Sequence, residues 1–500
     1  MTTERAVDAF MKSMPHAGIT FDDISLIPRY AEFLPKDTDI TSRLTNNISV
    51  NIPFVSAAMD TVTESKMAIA MAMLGGIGII HKNMEILRQS REVEVVKHYL
   101  NGLIRHPITF HTSDTLATVL VVKAEKGFNF SGFPILDADD KLAGILTAAD
   151  IKFARNPNVR VSKIMTQPVI PGGPGTSLQQ AYEIMQRHRI GKLPLVEKGR
   201  LVGLYSFSDV STLIENAKPL FNRDTRHRLL VGAAVGTNDQ ERIQALAEKD
   251  VDVIVIDTAH GHSRGVIAMC QWIKKRFPSI DVVAGNIATG DGARALRKAG
   301  VDAVKVGIGP GSICTTRVVT GVGIPQITAI YECSRALRME IPVIADGGIR
   351  YSGDVPKALA AGADTVMMGS ALAGTDQSPG EKIIHQGRQY VVYRGMGSLT
   401  AMQSAQGSRE RYGQADARDE ELIPQGIEGI VPFSGSLEKV MTQFCGGLKA
   451  ALGYCGCRTI RKLQRQGSFV RISYAGVREA HPHDVKIIKE SPNYTLQMMP

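Results

Sequence analysis

The run Gly309-Pro310-Gly311-Ser312-Ile313-Cys314-Thr315-Thr316-Arg317 sets one thiol among glycines and hydroxyls. The apolar stretch just before it, Val301 to Val306, reads as a buried parallel strand, so Cys314 belongs on a loop beyond that strand's carboxyl end. Ligands and chemistry collect at that end of the strands in α/β folds. A free cysteine is most often a small buried hydrophobe. A polar, glycine-rich loop offers no core to bury it, and exposure of that kind is what a reactive thiol needs. Glycine lets the backbone approach a ligand closely, and the loop's amides and hydroxyls can bond an oxyanion or a cation.

Two further loops are suited to a phosphate. Asp346-Gly347-Gly348 and Gly369-Ser370 each follow an apolar run, and these are the last two such runs of the chain. Loops after the seventh and eighth strands of a barrel, with a helix N-terminus beside them, commonly hold phosphate. Asp257-Thr258-Ala259-His260-Gly261-His262 can be drawn as metal ligands, but its spacing matches no zinc pattern. Asp257 is better read as a strand-end carboxylate that accepts hydrogen bonds from a sugar diol. Cys455-Gly456-Cys457 has no second Cys/His pair after it and does not read as a metal site.

The elements that must position these groups recur along the chain. Short apolar runs stand at Phe54–Ala58, Ile77–Ile80, Leu229–Val235, Val251–Ile256, Val282–Ala284, Ala303–Val306, Pro342–Ala345 and Thr365–Met368. Between them, segments such as Asn238–Lys249, Ala288–Ala299 and Asp354–Ala361 have helical composition, with Gly300 and Gly362 at the ends of the last two. Eight β units of this kind predict an α/β fold, a closed (β/α)₈ TIM barrel. The long segment from Gln386 to Gln425 is rich in Gly, Ser, Gln and charge and reads as a lid over the barrel mouth.

The rhythm breaks between the second and third units, where a repeat occupies the gap. Phe133-Pro134-Ile135-Leu136 … Leu142-Ala143-Gly144-Ile145-Leu146-Thr147-Ala148-Ala149-Asp150 is answered by Leu193-Pro194-Leu195-Val196 … Leu201-Val202-Gly203-Leu204-Tyr205-Ser206-Phe207-Ser208-Asp209. Each copy reads as strand, turn, strand and capped helix. The pair resembles a tandem CBS module. That resemblance implies an adenine or guanine nucleotide effector between the copies, with Thr147/Asp150 and Ser206/Asp209 at the ribose. Locally, helix capping alone explains those residues. The predicted organisation is a barrel at 1–92 and 220–500, its flap at about 386–425, and an insertion at 93–219 with halves at about 97–155 and 160–218.

Composition narrows the function. The chain is 44% hydrophobic and 21% charged, without any apolar run of membrane-spanning length. Met1 to Pro15 carries Glu4 and Asp8 and does not read as a signal peptide. Six irregularly spaced cysteines make no disulfide framework, which suggests a reducing, cytoplasmic setting. The net charge of +9 is spread along the chain without basic blocks interleaved with aromatics, which argues against nucleic acid and fits phosphorylated ligands.

Taken together, the cysteine loop, Ser56-Ala57-Ala58-Met59-Asp60-Thr61-Val62-Thr63-Glu64, Asp346-Gly347-Gly348-Ile349 and Arg411-Tyr412 resemble the inosine-5′-monophosphate dehydrogenase family, from Phe21-Asp22-Asp23 to His483-Asp484. The resemblance implies oxidation of IMP to XMP with NAD, through a covalent thioimidate on Cys314 that is then hydrolysed. It implies catalytic roles for Cys314, Thr316, Arg411 and Tyr412, the last two on a lid that activates water. Around IMP it places Ser312, Asp346, Gly347, Gly348, Gly369, Ser370, Tyr393, Arg394, Gly395, Met396, Gly397 and Gln425. Toward NAD it places Asp257, Asn286, Gly307, Ile308 and Gly309. It further implies a potassium ion on carbonyls of Gly309, Gly311 and Cys314, completed by Glu479, Ala480 and His481 of a neighbouring subunit, hence a homotetramer or an octamer of two.

Arginine is an awkward base, because a free guanidinium holds its proton above a pKa of about 12. Two positions depart from the family pattern. Gly413 stands where an aromatic often follows Arg-Tyr, which is expected to loosen the lid, and Gln425 stands where other members carry Glu. Two rival readings exist. A GMP reductase, which deaminates GMP with NADPH, would share the cysteine loop but lack the Arg-Tyr lid. A catalytically silent nucleotide sensor would keep the repeat and show damage at the loop or lid, and both are intact here.

Overall fold

The structure is a computed structural model that describes residues 5–15, 17–99, 103–104, 107–125, 132–215, 220–489 and 491–494. Residues 1–4, at the start of the segment read as no signal peptide, lie outside the described residues, as do 216–219, where the sequence places the end of the insertion. The chain divides into two compact units. One comprises Met1–Lys97, Leu220–Asp224 and Leu229–Pro500, the other His98–Pro219 and Thr225–Arg228.

Eight strands of the larger unit close into a barrel: β1 Phe54–Ser56, β2 Ile77–Ile80, β3 Gly232–Val235, β4 Val253–Asp257, β5 Asp281–Ile287, β6 Ala303–Val306, β7 Val343–Asp346 and β8 Thr365–Met368. Each of the eight falls within or overlaps an apolar run read from the sequence. All neighbours are parallel, including the closure of β2 on β3 and of β8 on β1. A parallel strand in such a barrel is covered on both faces, so its sequence is apolar at nearly every position. The two faces still differ. Val55, Ile77, Ile79, Ala234, Val253, Val255, Val283, Ala303, Ile344 and Met367 fill the barrel interior. Their neighbours, such as Ile254, Ile256, Val304, Val306 and Val343, pack into the main core with the surrounding helices.

Side chains alternate along a strand. One step beyond Val255, Ala303 and Ile344 on the same face therefore come Asp257, Lys305 and Asp346. Register ties them together: Asp257 pairs with Gly285, Gly285 with Lys305, Lys305 with Ile344. An irregularity between Gly285 and Ile287 delivers Asn286 to the same end. The apolar barrel interior is thus crowned by four polar side chains.

Helices Gln240–Ala247, Gly290–Lys298 and Asp354–Ala361 lie inside the segments predicted to be helical. The segment from Gln386 differs from the expected single connection. Arg388–Arg394 forms a strand, β10, between β9 Lys382–His385 and β11 Glu428–Pro432 in an antiparallel sheet. Tyr390, Val391 and Tyr393 are buried there, and aromatic and β-branched residues suit a half-covered strand. The flap proper leaves at Gly397 and returns at Gln425, whose N–H donates to the Gly397 carbonyl at 2.9 Å. It carries short helices at Leu399–Ser404 and Gln406–Arg411.

In the smaller unit, Phe133–Leu136 pairs antiparallel with Leu142–Leu146 and Lys192–Glu197 with Arg200–Ser206, each hairpin followed by a helix. Each copy has its own small core, one around Phe133, Ile135 and Leu146, the other around Leu193, Leu195 and Tyr205. No helix among the described residues is long and apolar enough to cross a membrane.

Candidate active site

Cys314 lies on the loop after β6, in a cleft at the carboxyl end of the barrel. Its thiol donates to the Thr316 hydroxyl at 3.1 Å. The loop is fixed from two sides. Arg317, just beyond the thiol, reaches back to the carbonyls of Ile308 at 2.9 Å and Ile324 at 2.6 Å. On the other side, the Thr315 N–H donates to the Gln425 carbonyl at 3.1 Å and the Ile427 N–H to the Ile313 carbonyl at 3.0 Å, so the return of the flap runs antiparallel along the cysteine loop.

The floor of the cleft is a charge network. Lys305, 1% exposed, points its ammonium at Asp257 (2.8 Å), Asp346 (2.7 Å) and the side-chain oxygen of Asn286. The Asn286 amide in turn donates to Asp346 at 2.9 Å and to the Gly307 carbonyl at 2.7 Å. Lysine is seldom buried to this degree without partners, and here two hydrogen-bond acceptors and a second carboxylate surround it. The sequence reading passed over Lys305. A lone lysine on the inner face of an otherwise apolar barrel strand was the available signal.

Arg411 reaches the same floor from the flap. Its guanidinium is ion-paired with Asp257, and its carbonyl accepts from the Ala259 N–H at 2.9 Å. Tyr412 packs beside it against Gly397, where even a Cβ would come within 2.7 Å of the ring. Burial holds the Tyr412 phenol above its usual range, partly offset by the neighbouring guanidinium. Lys82, 4% exposed on the loop after β2, donates to Glu410 at 2.6 Å, and the Ser408 N–H donates to Asn83 at 3.2 Å. The flap is therefore seated. Gly413, expected to loosen it, has φ +69° and follows the Gln406–Arg411 helix, a left-handed position that favours glycine over an aromatic.

Of the sequence-predicted residues, the cleft is lined by Cys314, Thr316, Arg411, Tyr412, Asp346, Gly347, Gly369, Tyr393, Gly395, Met396, Gln425, Asp257, Asn286, Gly307, Ile308, Gly309 and Gly311. Ala58, Met59 and Met367 complete its apolar wall. Tyr393 is buried, which pushes its phenol up, and it lies beside Ser312, Asp346 and Cys314. Ser312, Gly348, Ser370 and Gly397 are set around the cleft without lining it. Arg394 is turned elsewhere, its guanidinium held by Asp60 at 2.6 Å. Glu479 and Ala480 are exposed at the end of the helix Tyr474–Ala480, and His481 pairs with the Tyr494 hydroxyl at 2.8 Å. In the smaller unit, Thr147 and Asp150 form a reciprocal helix cap, whereas Ser206 accepts from Lys192 at 2.7 Å and bonds Ser208 at 2.9 Å.

A half-buried thiol, glycines of the loops after the last two strands and a guanidinium on a seated flap thus line one cleft. Comparison with known proteins identifies the family. Residues 18–483 match the family model described as IMP dehydrogenase / GMP reductase domain. The chain is 50% identical over 487 residues to inosine-5′-monophosphate dehydrogenase of Halalkalibacterium halodurans, covering 96% of this chain and 98% of that one. It is 51% identical over 485 residues to the enzyme of that name from Aquifex aeolicus, covering 95% and 97%. Its structure matches that of a GMP reductase from Trypanosoma brucei in complex with guanosine 5′-monophosphate, with TM-score 0.83, 38% identity and coverage of 94% and 98%. The chain belongs to the IMP dehydrogenase / GMP reductase family, among its inosine-5′-monophosphate dehydrogenases.

Proposed function

We propose that this chain oxidises IMP to XMP with NAD as hydride acceptor. The observation that carries the reading is Cys314 and Arg411 lining one cleft. A reductase needs the thiol but has no hydrolytic step for a flap guanidinium to serve.

The 5′-phosphate sits at Gly348, Gly369 and Ser370, where backbone N–H groups can face its oxygens. Asp346 accepts from the ribose hydroxyls, with Ser312, Tyr393, Gly395, Met396 and Gln425 around the base. The Cys314 thiol gives its proton up to solvent as its sulfur bonds C2 of the purine. The hydrogen at C2 then departs with its electron pair to the nicotinamide, leaving a thioimidate. Water adds to C2, the C–S bond breaks, and XMP and the thiol result. The covalent stage divides one difficult reaction into two easier ones.

Asp257, Asn286 and Gly307 to Gly309 line the same cleft and fit NAD by donor chemistry: a carboxylate for ribose hydroxyls, an amide and a glycine strand-end for close approach. Asp257 then has two callers. It cannot hold a cofactor ribose while it holds Arg411, so departure of NADH is what admits the flap. The seated Arg411, ion-paired with Asp257, acts by placing and polarising water, with the Thr316 hydroxyl beside the thiol and the buried Tyr412 phenol next to it.

The backbone carbonyls of the 309–314 loop are hard oxygen donors of the kind potassium takes. The exposed Glu479 and Ala480 at the end of helix Tyr474–Ala480 are open to a neighbouring copy, and His481 would join them on giving up its Tyr494 contact, as a tetramer would need. Thr147, Asp150, Ser206 and Asp209 would meet an effector nucleotide's ribose in a CBS pair. The first two would have to share their capping bonds with it.

The test mixes protein, IMP, NAD and potassium and follows NADH absorbance. NADH that forms, and that fails when sodium replaces potassium, supports both reading and ion. Consumption of NADPH with GMP, and no NADH from IMP, overturns the reading.

A further inference from the structure

We infer that Lys305 is a positioning residue that couples the flap and cofactor carboxylate, Asp257, to the substrate carboxylate, Asp346, so that what Asp257 holds sets how firmly Asp346 grips the IMP ribose. The inference rests on the proposed function in taking Asp346 as the ribose acceptor and the flap as moving on and off Asp257.

One ammonium spans both carboxylates, as an ion pair to Asp257 at 2.8 Å and a hydrogen-bonded pair to Asp346 at 2.7 Å, and it also donates to Asn286. Its side chain is 2% exposed, that of Asp257 7% and that of Asp346 18%. Water therefore screens the three charges weakly, and each feels the others at close range. Asn286 strengthens the link, since it accepts from Lys305 and donates to the same Asp346 oxygen that Lys305 meets. Lys305 donates hydrogen bonds to Asn286 and Asp346 and meets Asp257 as an ion pair, so the two carboxylates compete for one charge. A change at one of them must be answered at the other.

The direction follows from charge. With Arg411 on Asp257, two cations share that carboxylate, and Lys305 leans toward Asp346. An ammonium drawn onto Asp346 competes with ribose hydroxyls for its oxygens. When Arg411 withdraws, Asp257 claims Lys305 again, and Asp346 is freed for the sugar. The seated flap thus loosens the hold on the nucleotide, and the open flap tightens it. The open state is the one that binds IMP, and the seated state is the one that must part with product.

Equilibrium titration of IMP, with potassium and without NAD, tests this on three proteins: wild type, Asp257→Asn and Arg411→Ala. Both variants unseat the flap, so an effect of flap loss alone moves both the same way. The charge link moves them oppositely. Asp257→Asn gives Lys305 wholly to Asp346 and weakens IMP about 5-fold, whereas Arg411→Ala leaves Asp257 free to draw Lys305 away and tightens IMP about 2-fold. On a Lys305→Met background both effects vanish, and Lys305→Arg restores them in part. Shifts of the same sign, or no shift in either variant, overturn the coupling. Failure of wild-type protein to bind IMP would instead overturn the functional reading, so the two failures are distinct. The opposite-sign test stands without any Lys305 variant, should that buried site not tolerate substitution.

Discussion

The two ends of the barrel hold buried charge in different ways. At the amino ends of the strands, Asp252, Asp302 and Asp364 each sit one residue before β4, β6 and β8. Each accepts a backbone N–H from the preceding strand or the residue leading into it, from Val231 at 2.9 Å, Val282 at 2.8 Å and Val343 at 3.0 Å. Each also meets one basic side chain: Lys97 at 2.7 Å, Lys274 at 2.8 Å and Arg43 at 3.2 Å. At the carboxyl ends, Asp257 and Asp346 are held by side chains, namely Lys305, Asn286 and, from the flap, Arg411. Backbone partners cannot leave without breaking the sheet, whereas side-chain partners can be exchanged for a ligand. Fixed wiring marks the end that keeps the barrel together, and exchangeable wiring marks the end that works.

Substitutions can break this contrast in a graded series. Cys314→Ala should lower NADH production by about 10³-fold or more while the melting temperature stays put, since removal of a nucleophile spares the fold. A variant that melts early would mean the loop is part of the structural end. Arg411→Ala should permit one turnover's burst of NADH and then stall, with steady-state rate down roughly 10²–10⁴-fold, as for loss of a group that handles protons or water. Rapid-mixing absorbance separates the phases, and a lost burst would place Arg411 in the hydride step instead.

The amino end should answer differently. Asp364→Asn is expected to cost about 1–3 kcal/mol of stability, by disturbing a buried bond to Val343 and the pair with Arg43. Denaturant melts would show it, with kcat at 25 °C nearly unchanged. Lys82→Met removes the Glu410 contact that seats the flap and should slow steady-state turnover about 3–10-fold with the burst intact, the effect of one partly buried ion pair. An unchanged rate would mean Arg411 and Tyr412 seat the flap unaided.

The smallest effect concerns acid. A hydrogen bond from His81 holds Glu64 below the usual 4.5 of a glutamate. A carboxyl lowered on folding adds stability that is present above its unfolded value and is lost as pH falls through the folded one. Glu64→Gln should therefore flatten the fall in melting temperature below about pH 4.5. Parallel curves for both proteins would remove Glu64 from the acid response.

The sequence disclosed the barrel because a strand covered on both faces must be apolar throughout, and eight such runs stand out between helices. Cys314, Asp346 and Gly369 were legible for the reason that loops after strands are where polar and glycine residues are otherwise unexplained. Lys305 was hidden by the same rule, since one lysine in Ala303–Val306 looks like an interruption until alternation places it inside the barrel beside Asp257 and Asp346. Asp257 was read as a sugar acceptor from its strand-end position. Its pairing with Arg411, more than a hundred residues away, depends on where a flap comes to rest, which no local pattern records. The strand Arg388–Arg394 was missed because glycine and charge on either side dominated the reading of its neighbourhood.

The bond between Gln425 and Gly397 has a further consequence. It pinches the flap at its root, so the flap is a loop whose ends are already joined, one of them laced to the backbone of Ile313 and Thr315. The chain entropy of bringing distant ends together is met in the folded barrel and is not paid afresh in each catalytic cycle. Seating the flap then costs only the ordering of its own interior, and its swings need not tug on the strands below. Such a neck is also a natural seam: excising residues 398–424 and bridging it with a short turn should leave a barrel that still makes one equivalent of NADH and cannot finish the reaction.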